Sequence, residues 1–475
     1  MKQSSVGKRN GWVRPTNWLY LIGLLILALV ISACGGAAAP SAAEVSEATE
    51  APQAAAPTEA APAEVTEADP TEAPQAEATE EAVVEADPTE APQAEATEEV
   101  VAEATEAPAA EAASGEPVLF FAPAELSGAG ATVGNNWKDG ATIAIEEINA
   151  AGGILGRPIE VEWVDTQSDP ATSKAVIAKG LEENPYVVLG PLYSGSIIVN
   201  MVEAQRAETT QIMGGEAANL TEQGNPYIFR TSFGQATSMP KLANYMAESG
   251  IGSVDVIWVN NDFGKGGRDA ITTELEERDI AIINDISTEE QQADFAPEAL
   301  TALGSEADAL FVYMNEEESA RLLVELQKQG FDKPILGETV LIAQSVIDLA
   351  GEAANGAQGH VGLTASAPLP LVEEYAQKFE DAYGRTPDHN GMKGYIAVHV
   401  IKEATERIGE FDSNKLAEAL HCTTITTEDE PGVLLDIVYD DKGDVDRESF
   451  LVEVQEGQQV VTEILPRLGT SCGEK

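Results

Sequence analysis

Bases, cysteines and histidines are all scarce in this chain. Across 475 residues, 27 Lys and Arg face 81 Asp and Glu, a formal charge of −54. A surface so acidic repels phosphate, which removes nucleic acid from the expected partners and discourages loose contact with anionic lipid. The four histidines (His360, His389, His399 and His421) show no metal-ligand spacing such as H-E-x-x-H. There is no G-x-S-x-G elbow, and the GKGG at 264–267 lacks the spacing and Lys-Ser/Thr ending of a phosphate loop. No cofactor, metal site or catalytic role is therefore expected. Long apolar runs are equally rare. The stretch over 18–32 stands out, and it is short against the roughly 20 residues of a bilayer-spanning helix.

That run has a recognisable setting. Lys2, Lys8, Arg9 and Arg14 precede it, and ISACGG at 31–36 follows. The order of basic start, short apolar core, small residues and cysteine resembles a bacterial lipoprotein signal. It predicts a signal peptide over 1–34, with Cys34 as the lipidated residue and everything beyond it exported. An uncleaved membrane anchor is the alternative. No second membrane segment is expected after it.

Residues 35–116 carry 21 acids and no Lys or Arg, and they repeat the 15-mer EADPTEAPQAEATEE at 67–81 and 85–99. A stacking repeat needs an apolar face. This one offers Ala, an occasional Val and helix-breaking prolines. Such a segment cannot offset the entropy of ordering, so a disordered tether is expected. The remaining 117–475 hold 60 acids and 23 bases. That length exceeds what one core usually serves, and two lobes are expected. Besides Cys34 this part contains Cys422 and Cys472, an even pair that in an oxidising compartment suggests a disulfide; two free thiols are the alternative.

From 117 onward β-type and helical patterns alternate. VLFFAP comes first, and Ala141, Ala144, Ile145 and Ile148 then fall at helical spacing. In IEVEWVD, Ile159, Val161 and Trp163 alternate with other residues as in a strand with one solvated face. YVVLG, TQIMG, VDVIWVN, IAIIND, ADALFVYM and PILGE continue the series, with helical stretches between most of them. This predicts an α/β class of parallel sheets flanked by helices, with ligands at the carboxyl ends of the strands. Helices are expected around 371–383 and 391–409. The tail reads as β-hairpins, and Asp440, Asp441, Asp444 and Asp446 read as a turn, since they lack the frame of a calcium loop.

The segments ELSGAGATVGNNWKDGATIAIEEINAAGGILGRPIEV, DTQSDPATSKAVIAKGL, VVLGPLYSGS, EAANLTEQGNPYIFRT, WVNNDFGKGG and FDKPILGE resemble the branched-chain amino acid (Leu/Ile/Val) binding proteins of ABC importers. The resemblance implies a type I periplasmic-binding-protein fold: two doubly wound parallel-sheet lobes around a ligand cleft. Lobe 1 would take about 117–236 and 364–445, and lobe 2 about 237–363 and 446–475. Crossovers would fall near 234–238, 362–364 and 444–449. It also implies a monomer that closes on an amino acid or small amide outside the membrane and passes it to an ABC permease. The compartment would be periplasmic or cell-surface. A ligand-sensing ectodomain with a separate membrane partner is the alternative, and an adhesive protein with a spent cleft a remoter one.

The same resemblance supplies site residues. Ser194 and Gly195 open a helix after VVLG, where the family holds the ligand carboxylate; a helix N-terminus suits an anion in any case. Gly214 and Gly215 would let ligand approach the backbone. Glu216 stands where the family has a small or hydroxyl residue, and it either pairs with an ammonium or points to solvent. Phe263 matches an aromatic wall, Tyr313 and Asn315 lie near a second aromatic contact, and Glu338 matches an acid that grips the α-amino group. Trp137 is a further candidate wall. Val133 and Asn390 replace frequent aromatics, and Ser168 and Tyr193 replace a cysteine pair of some relatives. These departures favour a ligand more polar than leucine.

Overall fold

The computed structural model describes residues 115–469 and Cys472. The expected signal peptide, Cys34 and all but the last two residues of the expected 35–116 linker lie outside the described residues. Among those described, no helix is long and apolar enough to cross a membrane.

Strands of three to eight residues build two sheets. In the first, five parallel strands lie in the order Ile159–Asp165, Val118–Ala124, Val187–Leu189, Gln211–Met213, Ile228–Arg230. IEVEWVD forms the edge strand, but beyond Ile159 and Glu160 both of its faces are half-buried and the single solvated face expected from its alternation is not seen, whereas VVL and QIM inside the sheet are buried throughout. The second sheet has seven strands. Its order is Gln458–Leu465, Ser449–Gln455, Ala357–Val361, Ile335–Glu338, Ala309–Tyr313, Ser253–Val259, Ala281–Thr288. The last five are parallel, and the hairpin 449–465, turning at Glu456-Gly457, adds antiparallel to them. The chain crosses between sheets three times, through the helix Gln235–Glu248, after Val361, and between Asp446 and Ser449.

Close helix packing fixes what faces the cleft. Helix Ala131–Ala150 lies against helix His389–Ile408 so tightly that a Cβ on Gly140 would come within 1.8 Å of the Gly391 carbonyl oxygen. A Cβ on Gly394 would come within 2.1 Å of the Trp137 carbonyl oxygen. Only glycine permits this approach. Asp388 caps the second helix by accepting from the N–H groups of Asn390 and Gly391 (both 2.9 Å), and it also accepts from Asn136 Nδ2 at 2.8 Å. The first turn of this helix is thereby pinned beside the strand ends of the first sheet.

In the tail, short strands at 424–425, 437–439 and 445–446 form a small antiparallel sheet. Asp440 accepts from the N–H groups of Lys442 and Asp444, closing a turn across the acidic run. Cys422 and Cys472 are joined by a disulfide with their Cα atoms 5.3 Å apart.

Candidate ligand cleft

A cavity of about 370 Å³ opens between the two sheets. Its walls come from segments that follow strands: Ser168 and Pro170, Leu192 to Ser196, and Gly214 with Glu216 from the first sheet. From the second come Asn260 to Phe263 with Lys265, Glu290, Asn315 with Glu316, and Val340. Every one of those strands points its carboxyl end at the cavity, as expected of doubly wound sheets. Val133 on the first helix and His389, Asn390 and Lys393 on the long helix complete it.

Six of the residues read from the sequence line this space: Ser194, Gly195, Gly214, Glu216, Phe263 and Asn315. Ser194 begins helix Ser194–Arg206, and its Oγ accepts from Ala217 N at 3.2 Å. The preceding loop is held by Glu125, a buried carboxyl that accepts from the N–H groups of Leu192 (3.1 Å) and Tyr193 (3.2 Å). Glu125 therefore takes two of the donors around the helix start. Ser196 N and Ile197 N donate to the Tyr193 carbonyl oxygen, so the amides of Ser194 and Gly195 are the ones a ligand could use.

Glu216 pairs with an ammonium, one of the two expected courses, but the ammonium belongs to the protein itself. It is buried, and its Oε1 accepts from Lys393 Nζ at 2.7 Å, so its partner is a lysine of the protein. Burial raises its pKa, and Lys393 opposes that rise. Glu216 Oε2 has no hydrogen-bond partner.

Four expected contacts do not reach the cavity wall. Trp137 is fully buried behind Gly214, where a Cβ would meet its ring at 3.3 Å. Gly215 faces inward, and a Cβ there would strike Ile197 and Leu220. Tyr313 forms a layer beneath Phe263, ring centroids 4.3 Å apart, with its ring filling the space left by Gly267. Glu338 is buried against His360, whose Nδ1 lies 3.0 Å from Oε1, and its Oε2 accepts from Thr339 N. Burial pushes Glu338 up to about 7 and His360 down to about 3, which keeps the imidazole neutral at physiological pH.

Glu316, His389 and Lys393 line the cavity without having been singled out in the sequence. Lys393 left a signal, as a single base between glycines in the apolar helix GMKGYIAVHVI. Glu316 left none. It opens the triplet Glu316-Glu317-Glu318 at a helix N-terminus, where carboxylates are favoured by the helix dipole whether or not they meet a ligand. In the fold Glu316 and Glu318 are buried and Glu317 is exposed.

Known proteins share this architecture. The model of the family described as periplasmic binding protein matches residues 123–459. The leucine-, isoleucine-, valine-, threonine- and alanine-binding protein of Pseudomonas aeruginosa is 26% identical over 336 residues, covering 69% of this chain and 87% of that protein. Among solved structures, the branched-chain amino acid transporter substrate-binding protein LivJ from Streptococcus pneumoniae, in complex with isoleucine, superposes with a TM-score of 0.67. It is 23% identical and covers 74% of this chain and 99% of its own. A solute-binding protein of an ABC transporter from R. palustris, in complex with benzoate, gives a TM-score of 0.68 at 17% identity, covering 74% and 97%.

Proposed function

The chain belongs to the periplasmic binding protein family, and from that premise we propose that it captures an amino acid or a related small polar solute and presents it to an ABC permease. It is a solute-binding protein, so it acts by binding and not by catalysis. Cys34 serves as the lipidated anchor, and 35–116 as a tether that lets the binding domain range over the outer face of the membrane. Energy for transport comes from the permease's own ATPase.

The observation that carries this reading is the two-sided cavity. Ser194 and Gly195 at a helix N-terminus face it from one sheet, and Phe263, Asn315 and Glu316 face it from the other. A solute that touches both walls favours the closed arrangement over any opened one, which is how ligand binding drives hinge closure. Thermal unfolding of the ligand-free chain against amino acids, amides and aromatic acids tests it. A ligand at 100 times its dissociation constant adds about 2.7 kcal/mol of stability. That shifts the midpoint by a few degrees in a domain of this size. The expected responder is an amino acid, with the shift lost in Ser194→Ala. A response confined to aromatic acids would replace the solute class, and no response to any small solute would overturn the reading.

A further inference from the structure

The ionisable groups left facing the cleft, once internal pairs are removed, are mostly carboxyls. Of the lining residues, Glu216, Asp262, Glu290 and Glu316 are acidic and Lys265 and Lys393 basic. Lys393 is bound to Glu216. Three carboxyls and one lysine remain, and Lys265 is exposed. Glu316 differs from the two acids at the mouth, because it is only 7% exposed. No Lys, Arg or His among the described residues is in ion-pair contact with it. The charged groups acting on it are Asp388 and Glu216, with Lys393 ranking behind both. Burial and those two carboxyls push it up to about 8, the behaviour of an acid without a counter-ion.

A second observation marks the same space as a polar binding site. Asn390 and His389, 2% and 6% exposed, line the same cavity as Glu316, and Asn390 Nδ2 and His389 Nδ1 have no hydrogen-bond partner. Buried polar atoms are seldom left so, since each costs about 1–3 kcal/mol. Phe263 and Tyr193 add aromatic surface at which a cation is attracted.

We propose that the cleft selects a solute of net positive charge, a basic amino acid or a short diamine, and that Glu316 is the carboxylate that meets its cationic group. This rests on the solute-binding reading above and narrows its ligand. A basic amino acid would set its carboxylate toward the start of helix Ser194–Arg206 and its side-chain cation toward Glu316.

Calorimetric titration of the refolded, ligand-free full chain with L-arginine, L-lysine, 1,4-diaminobutane, L-leucine, L-glutamate and benzoate tests the assignment. Arginine, lysine or the diamine is expected to bind at least tenfold tighter than leucine, and Glu316→Gln to lose at least tenfold of that affinity. Gln is nearly isosteric and removes a buried acid, so the variant should fold; its ligand-free unfolding midpoint checks this. Lys265→Gln, at the exposed mouth, is expected to tighten cation binding by roughly twofold to fivefold. Cation affinity should rise from pH 6 to pH 8 as Glu316 ionises, and the rise should be much smaller in Glu316→Gln, where only the background of the remaining groups is left. Of the other groups nearby, His389 is held neutral by burial, while Glu338, behind the wall, is present in both proteins. Binding of leucine with silence from the three cations would overturn this inference and leave the amino acid reading standing. Binding of the diamine alone would keep the inference and remove the amino acid. Unchanged cation affinity in Glu316→Gln, or no binding by any cation, would also overturn it.

Discussion

The Lys393–Glu216 pair shows how a single residue can be misread when its partner lies far along the chain. Glu216 in MGGEAANLT has an obvious position after a strand, but its environment depends on a lysine 177 residues later. Sequence proximity could not supply that partner, so a ligand ammonium or solvent were the available choices. Burial of both groups makes the pair costly to break from one side only. Lys393→Met is therefore expected to destabilise the domain by about 3–5 kcal/mol, because Glu216 is left buried without a cation. Adding Glu216→Gln should recover much of that loss. Urea unfolding of the single and double variants measures the coupling. If the two losses simply add, the pair is not the unit that the 2.7 Å contact implies. Glu316 shows a different limit. Its helix position was legible, but that the first and third of three consecutive acids turn inward depends on packing and not on composition.

At the scale of elements, period and punctuation carried most of the reading. IEVEWVD forms a strand over the predicted seven residues, and the helices expected around 371–383 and 391–409 appear as Pro370–Tyr383 and His389–Ile408. The latter begins two residues earlier because Asp388 caps it with two hydrogen bonds. Strands of three residues such as Ile228–Arg230 are too short to show any period, and AQGHV at 357–361 pairs on both sides despite its Gln, Gly and His. Helix Gln235–Glu248 contains Pro240, a residue that argues against a helix interior. Contacts between elements were less legible than the elements themselves. Nothing local in WKDGATIA or GMKGYIAV says that the two glycines face one another's helices. Gly140→Ala is expected to cost about 3 kcal/mol or more, at or beyond the upper end of overpacking, since its neighbour is backbone and cannot rotate away. The variant should also weaken ligand binding, because displacing the start of helix His389–Ile408 moves Asn390 and Lys393. Alanine at the exposed position Gly304, where nothing lies within 4 Å of a built Cβ, is the control. Denaturant midpoints for the two variants give the comparison.

For the whole molecule, the two-sheet architecture followed from βαβ alternation together with the family segments. The residues that couple the two sheets did not. Gln235 opens the first crossover helix and is 1% exposed. Its Oε1 accepts from Ala218 N at 3.1 Å, on the side of the first sheet. Its Nε2 donates to the Phe263 carbonyl at 2.8 Å and to the Tyr313 hydroxyl at 3.1 Å, both on elements of the second. One side chain thus ties the two cavity walls together beneath the ligand, and Phe263 is at once a wall residue and its anchor. If these bonds form only when the walls are together, they favour the binding-competent state, and apparent affinity scales with the fraction of molecules in that state. Gln235→Leu keeps the volume and removes the polar contacts. At about 1–1.5 kcal/mol for a net hydrogen-bond loss, ligand affinity should fall by roughly tenfold, mainly through faster dissociation. Small-angle scattering of the ligand-free variant should show a larger radius than the parent, with both converging at saturating ligand. The opposite pattern, a lower unfolding midpoint with unchanged affinity and radius, would mean that the contacts survive opening. Gln235 would then hold the crossover helix in place without biasing closure, and the energy of closure would rest on the ligand's own contacts with Ser194 on one side and Phe263 and Glu316 on the other.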